Sequence, residues 1–132
     1  MRSARSMALR LVLVSAVLVS TSAWGGAHSG TEVHVDDKTR SAGGTLSDTR
    51  NSGNDYQFIG CEIWVSPGSS RQGICGAVQL NGLYRQCYTV DPNLVAIMGT
   101  VQGTADIRFN WTADGHCNVV ETHLASFFAT KK

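Results

Sequence analysis

The stretch that decides the fold is Ala105-Asp106-Ile107-Arg108-Phe109-Asn110-Trp111-Thr112-Ala113-Asp114-Gly115-His116-Cys117-Asn118-Val119-Val120-Glu121-Thr122-His123-Leu124. In its first half Ala105, Ile107, Phe109 and Trp111 alternate with Asp106, Arg108 and Asn110, the period-two pattern of a strand with one greasy face. Asp114-Gly115 tolerates the positive φ that a tight hairpin requires. Read as a two-residue turn, it pairs Phe109 with Val120, Ile107 with Thr122 and Ala105 with Leu124 on the core side. The other side then sets Arg108 against Glu121 and Asp106 against His123, an exposed ladder of opposite charges. A register one residue away would break every one of these pairings, so turn chemistry, alternation and charge agree on one hairpin.

Working upstream, Asp91-Pro92 opens a short helix, with Asp91 as N-cap and Pro92 at the first helical position. Leu94, Ile97, Met98 and Val101 recur at helical spacing, and Gly99 or Gly103 ends the helix. Before it, Ile74 to Leu80 and Leu83 to Val90 flank Asn81-Gly82, read as another two-residue hairpin turn. Ile59, Cys61, Ile63 and Val65 alternate along a further strand, which Ser66-Pro67-Gly68-Ser69-Ser70 terminates. The expected architecture is an α+β domain, a mainly antiparallel sheet with one short helix. An all-β sandwich with the helix reduced to a turn is the alternative.

From His28 to Asp55 the composition changes to Ser, Thr, Gly, Asp and Asn with few large apolar residues. Glu32 to Asp36 suits one short edge strand. The remainder reads as a flexible polar arm, because it lacks the apolar surface to offset its ordering entropy. Asp48, Asn51, Asn54 and Asp55 fit no calcium loop with ligands at alternate positions. The ordered domain is expected over 56–132.

Residues 1–27 read as a secretory signal peptide: Arg2, Arg5 and Arg10 without an acid, an apolar run from Leu11 to Val19, then small residues. That run is short of the roughly twenty apolar residues that span a bilayer. Cleavage is expected after Ala23 or Ala27. The second cut removes three of the eleven basic residues and leaves eight against ten acids. Such a balance excludes a basic nucleic-acid face and an anionic-membrane anchor. The expected location is secreted or periplasmic.

Four cysteines, Cys61, Cys75, Cys87 and Cys117, are an even number in a chain read as exported, which implies two disulfides. Their wide spacing does not suit zinc. With Asn81-Gly82 as a two-residue turn, Cys87 falls opposite Gly76 and Cys75 opposite Tyr88, so Cys75 and Cys87 face opposite ways. The expected pairs are therefore Cys61 with Cys75 and Cys87 with Cys117.

No cofactor is called for. Glu121 and His123 share a strand face with Asp106 nearby, but the ladder with Arg108 accounts for them without a metal. His28 would become the amino terminus after cleavage at Ala27, where amine and imidazole chelate copper, with His34 or His116 as a further nitrogen. No G-x-S-x-G elbow marks a serine nucleophile, and no buried carboxylate pair is visible. Asn110-Trp111-Thr112 is an incidental sequon inside a strand. More informative is Trp64, on the same strand face as Phe58, Gly60 and Glu62. Tyr84, Gln86 and Tyr88 share a face with Gln79, and Trp64, Tyr84 and Tyr88 together form an exposed aromatic and amide patch. The expected function is that of a small exported non-catalytic domain, which binds a protein or carbohydrate or has a passive structural role. The alternatives are an inhibitor that offers its Ser66 to Gly73 loop to a hydrolase, and a copper protein or enzyme built on His28.

Overall fold

The computed structural model describes residues 30–124. Residues 1–27, expected as a signal peptide, and His28 lie outside them. The chain runs through β1 (His34–Asp36), β2 (Ser41–Thr45), α1 (Leu46–Asn51), β3 (Phe58–Trp64), β4 (Gln72–Val78), β5 (Tyr84–Thr89), α2 (Pro92–Met98), β6 (Asp106–Trp111) and β7 (Cys117–His123). Two antiparallel sheets result, one ordered β1-β2-β6-β7 and the other β3-β4-β5. This is a small, mainly antiparallel α+β domain. The inner faces of the sheets share one core, in which Val35, Ala42, Ile107, Phe109, Trp111 and Val120 meet Ile59, Cys75, Ala77 and Cys87.

β6 and β7 pair as the alternation predicts: Asp106↔His123, Ile107↔Thr122, Arg108↔Glu121 and Phe109↔Val120. The turn between them is nevertheless one residue longer than expected. Thr112 N–H donates to His116 C=O at 2.9 Å and Gly115 N–H to Thr112 C=O at 3.0 Å, which leaves three residues in the loop. Only Gly115 there takes a positive φ, of 84°. A bulge beside Asn110/Trp111 absorbs the extra residue and restores the register beyond it. The expected ion-pair ladder does not form. Arg108 Nε reaches Asp106 Oδ2 on its own strand at 3.1 Å, and His123 lies 3.7 Å from Glu121. Leu124, expected in the core, is 52% exposed because it lies just past the end of β7.

The expected flexible arm is overturned. β2 lies between β1 and β6, with its Ala42 opposite Val35 on one side and Phe109 on the other. Its Ser-Ala-Gly-Gly-Thr composition offers little side-chain area to bury. Its stability comes instead from backbone bonding along both edges and from shielding by neighbours. A Cβ added at Gly44 would stand 3.1 Å from Val33 Cα, tighter than side chains ordinarily pack, so the glycine favours the close approach. Thr45 and Thr31 hydroxyls each donate to Asp106 Oδ1 at 3.3 Å, which buries a carboxylate that the alternation had placed in solvent. α1, a helix of six residues directly after β2, is not signalled by the sequence. Asp55 and its neighbours follow it as a turn, in which Asn54 Oδ1 accepts from Tyr56 and Gln57 N–H at 3.1 and 2.9 Å.

α2 starts as expected: Asp91 Oδ1 accepts from Asn93 N–H at 2.7 Å and Leu94 N–H at 3.3 Å, and Pro92 occupies the first turn. Its buried residues are Val95 and Met98, while Ile97 turns outward.

The disulfides are Cys61–Cys75 and Cys87–Cys117. The pairing is the expected one, but the facing argument for it fails. Gln79 N–H donates to Leu83 C=O at 3.0 Å and Gly82 N–H to Gln79 C=O at 2.8 Å, again a three-residue loop. Only Gly82 has positive φ, of 83°, whereas a two-residue type I′ turn needs it at Asn81 as well. The register therefore slips by one, and Cys75 stands directly opposite Cys87. Cys61, Cys75 and Cys87 form one row across the sheet. Cys87 is drawn out of that row because Cys117 of the facing sheet lies within reach, with a Cα–Cα distance of 4.9 Å.

Two predictions come from this packing. Phe109 is fully buried, and Phe109→Ala should lower the urea-unfolding free energy by about 3 kcal/mol or more; Glu121→Ala should change it by less than about 1 kcal/mol. The carboxyl of Asp114 is held below the ordinary aspartate range by the Thr112 hydroxyl, and that of Asp36 by Lys38 N–H. A lowered folded pKa contributes stability that is present above the unfolded value and lost as pH falls through the folded one. Carboxyl NMR titration should place both midpoints below those of the urea-unfolded chain, with the associated loss of stability confined to below about pH 4.

Candidate functional site

The sheet β3-β4-β5 turns one face to the core and the other to solvent. Because side chains alternate, the register specifies the outward set completely. It consists of Phe58, Val78 and Tyr84 in a first row, then Gly60, Gly76 and Gln86, then Glu62, Ile74 and Tyr88, and finally Trp64 and Gln72. The predicted patch residues Trp64, Tyr84 and Tyr88 are thus on one face, joined by Phe58. Gln79, expected beside them, is not. With the register slipped by one it falls on the other side, and its Oε1 accepts from Val35 N–H at 2.9 Å.

Two glycines shape the middle of this face. An added Cβ at Gly60 would lie 3.2 Å from Phe58 Cζ, and at Gly76 it would lie 3.6 Å from both Phe58 Cε1 and Tyr84 Cε2. Both rings therefore lie down against backbone, although Phe58 and Tyr84 are each 47% exposed. Beside them is a shallow cavity of about 160 Å³, with Ile74, Glu62 and Gln86 on its walls. At the other end the Trp64 and Tyr88 rings stand 6.4 Å apart at 40°, and Tyr88 and His116 5.9 Å apart at 52°. His116 joins the rings through a parallel bridge to Tyr88, a contact between distant segments that no local sequence signal announces.

The amides are fixed by the aromatics. Tyr84 hydroxyl donates to Gln86 Oε1, and Tyr88 hydroxyl donates to Gln72 Oε1 at 3.4 Å. With their oxygens engaged, both amides keep their N–H groups for a ligand. The face combines flat apolar rings, amide donors and a single acid, Glu62. That chemistry suits a neutral ligand with apolar faces and hydroxyl edges.

The weak metal candidates are not brought together. His34 is separated from Glu121 by Gly43 and Arg108 across the first sheet. Asp106 is occupied by Thr31, Thr45 and Arg108. Glu121 and His123 remain as a pair, and among the described residues no three His, Cys, Asp or Glu side chains converge.

Comparison with protein-family models, curated proteins and solved structures found no match. The two disulfides are compatible with an oxidising compartment. No helix among the described residues is long and apolar enough to cross a membrane.

The ring arrangement is testable. Phe58 and Tyr84 ring protons should show NOEs to the Gly76 α-protons, which Gly76→Ala should preserve in part. The larger branched side chain of Gly76→Val should lift both rings and abolish the Phe58–Tyr84 contact pattern while leaving the ladder amides in place.

Proposed function

We propose that this chain is exported by its amino-terminal leader and acts outside the cytoplasm as a non-catalytic binding domain. Its contact surface in this reading is the outer face of β3-β4-β5, and its ligand a neutral glycan. The observation that carries the proposal is the alternation, on one uncovered face, of Phe58, Tyr84, Tyr88 and Trp64 with Gln72 and Gln86. Aromatic rings stack on the C–H faces of sugar rings and lose little side-chain entropy in doing so. Tyrosine-anchored amides supply donors to hydroxyls. Rows two residues apart lie about 6.8 Å from one another, so an oligosaccharide crossing the face meets rings at both ends and polar groups between.

A second reading, inhibition of an extracellular or periplasmic hydrolase, is favoured by the β3–β4 loop. Residues 65–71 are exposed, and the strands beneath them are bridged by Cys61–Cys75. Within the loop Ser69 N–H donates to Ser66 C=O at 3.0 Å, and Ser66 N–H donates to Ser69 Oγ at 3.1 Å. A loop ordered in advance loses less entropy on docking into an enzyme cleft. The copper reading rests on His28, outside the described residues; mass spectrometry of the secreted form should show whether it starts there or at Trp24.

Screening the secreted domain against neutral oligosaccharides, followed by titration calorimetry, tests the leading reading. Trp64→Ala and Tyr84→Ala should each weaken binding by roughly tenfold, about 1.4 kcal/mol, while the unfolding midpoint changes little. Retained affinity in both variants, or no glycan bound at all, would remove it, and inhibition of a hydrolase abolished by changes at 66–71 would establish the second.

A further inference from the structure

The free edge of β3 is a surface distinct from the sheet face. β3 is outermost in its sheet and hydrogen-bonds to β4 alone. Its Cys61 stands opposite Cys75 with Cα atoms 4.0 Å apart. Such close spacing marks a pair that exchanges no backbone hydrogen bonds, since a bonded pair stands about 5.5 Å apart. The N–H and C=O of Cys61 therefore point away from β4, and by the two-residue period so do those of Ile59 and Ile63. Among the described residues these groups have no hydrogen-bond partner.

Alongside this edge runs a groove of about 390 Å³, with residues 57–62 on one side and Leu46, Thr49 and Arg50 of α1 on the other. Gln57, 9% exposed, lies at the head of the strand in this groove. Its Oε1 accepts from Val33 N–H at 3.0 Å, while its Nε2 is a buried donor without an acceptor. Unpaired edges are ordinarily blunted by lysine, proline or a bulge, because open backbone invites association. Phe58–Trp64 has no lysine or proline, and its pairing with β4 runs without a register shift.

We propose that this groove receives an extended polypeptide segment of another protein, which adds a strand to β3. The strand side of the groove, at about 3.4 Å per residue, is roughly 20 Å long, the length of an ordinary strand. Backbone groups of the incoming segment pair with Ile59, Cys61 and Ile63. Affinity comes from this main-chain pairing and selectivity from alternate side chains. Arg50 and Glu62 are exposed and form no ion pair among the described residues. The segment accordingly carries a carboxylate for the helix wall and a base for the strand. A second copy of this chain does not suit the groove. Its own α1, fixed beside its β3, would be driven against the first α1 at the ladder spacing of about 4.8 Å.

The test is to pan a phage-displayed library of short linear peptides on the oxidised secreted domain and to follow amide hydrogen exchange with a selected synthetic peptide. The N–H groups of Ile59, Cys61 and Ile63 should exchange at least about tenfold more slowly in the complex. Methylating alternate backbone nitrogens of the peptide should abolish binding in one phase and spare it in the other, since a strand offers a neighbour only every second N–H. Arg50→Glu should weaken an acidic peptide by about tenfold and leave the unfolding midpoint unchanged, and Trp64→Ala should leave peptide binding intact. Failure to select any binder, binding without protection of the three amides, or tolerance of methylation in both phases would overturn the proposal. Protection that appears without peptide and grows with protein concentration would overturn it in favour of self-association.

Discussion

One glycine in the left-handed region governs the sheet that carries the aromatic face. At the β4–β5 turn only Gly82 takes a positive φ, so the loop closes over three residues. In a hairpin the loop length sets the register, and a slip of one residue moves every side chain of a strand to the other face. With this turn, Cys87 faces inward opposite Cys75, and Tyr84, Gln86 and Tyr88 face outward beside Gly76 and Ile74. A two-residue turn would have put the tyrosines on the side of Cys75 and Ala77, within the core. The disulfide row and the aromatic face are two consequences of one backbone conformation.

The core supplies the rigid base. Phe109 and Ile107 come from the hairpin with the strongest local signals, and the Cys87–Cys117 bridge ties that hairpin to the sheet that carries the aromatic face. Its separation of 30 residues gives it more denatured-state entropy to remove than the separation of 14 spanned by Cys61–Cys75. That entropy grows only with the logarithm of loop length, so the difference is modest. The larger consequence is geometric. Tyr88 follows Cys87 and His116 precedes Cys117, so the bridge also holds the Tyr88 and His116 rings together.

The two proposed surfaces use different parts of the same three strands. The outer face offers mainly side chains and the edge of β3 mainly backbone, and the two meet at Glu62, which borders both. Cys61–Cys75 serves both, because it fixes β3 against β4 and thereby sets which backbone groups of β3 remain unpaired. Rigid presentation of this kind lowers the ordering entropy lost on binding.

Local signals were enough where several of them coincide. The alternation from Ala105 to Trp111 and the Asp114-Gly115 turn together point to the β6–β7 pairing, whereas the charges across it take no part, since Arg108 turns to Asp106 on its own strand. The pairing survived an error in turn length because a bulge compensated for it. Asp91-Pro92 specified the start of α2 because a side-chain cap and a fixed φ act within one turn. Trp64, Tyr84 and Tyr88, expected as an exposed set, do share a face, but only Tyr84 is exposed while Trp64 and Tyr88 are half-buried, and the two-residue turn expected with them would have put both tyrosines on the core side. Other features depended on what the rest of the chain brings alongside. Ser41–Thr45 carries no strand signal, since its stability lies in backbone bonds to both neighbours and in small residues that admit Val33. Asp106 alternates like a surface residue and is buried because Thr31 and Thr45 close over it. The free β3 edge, the orphan amide of Gln57 and the approach of His116 to Tyr88 are relations between segments distant in the chain. Periodicity, capping and turn chemistry are local and can be read from order alone, whereas sheet neighbours, edges and covered faces exist only once the chain has packed.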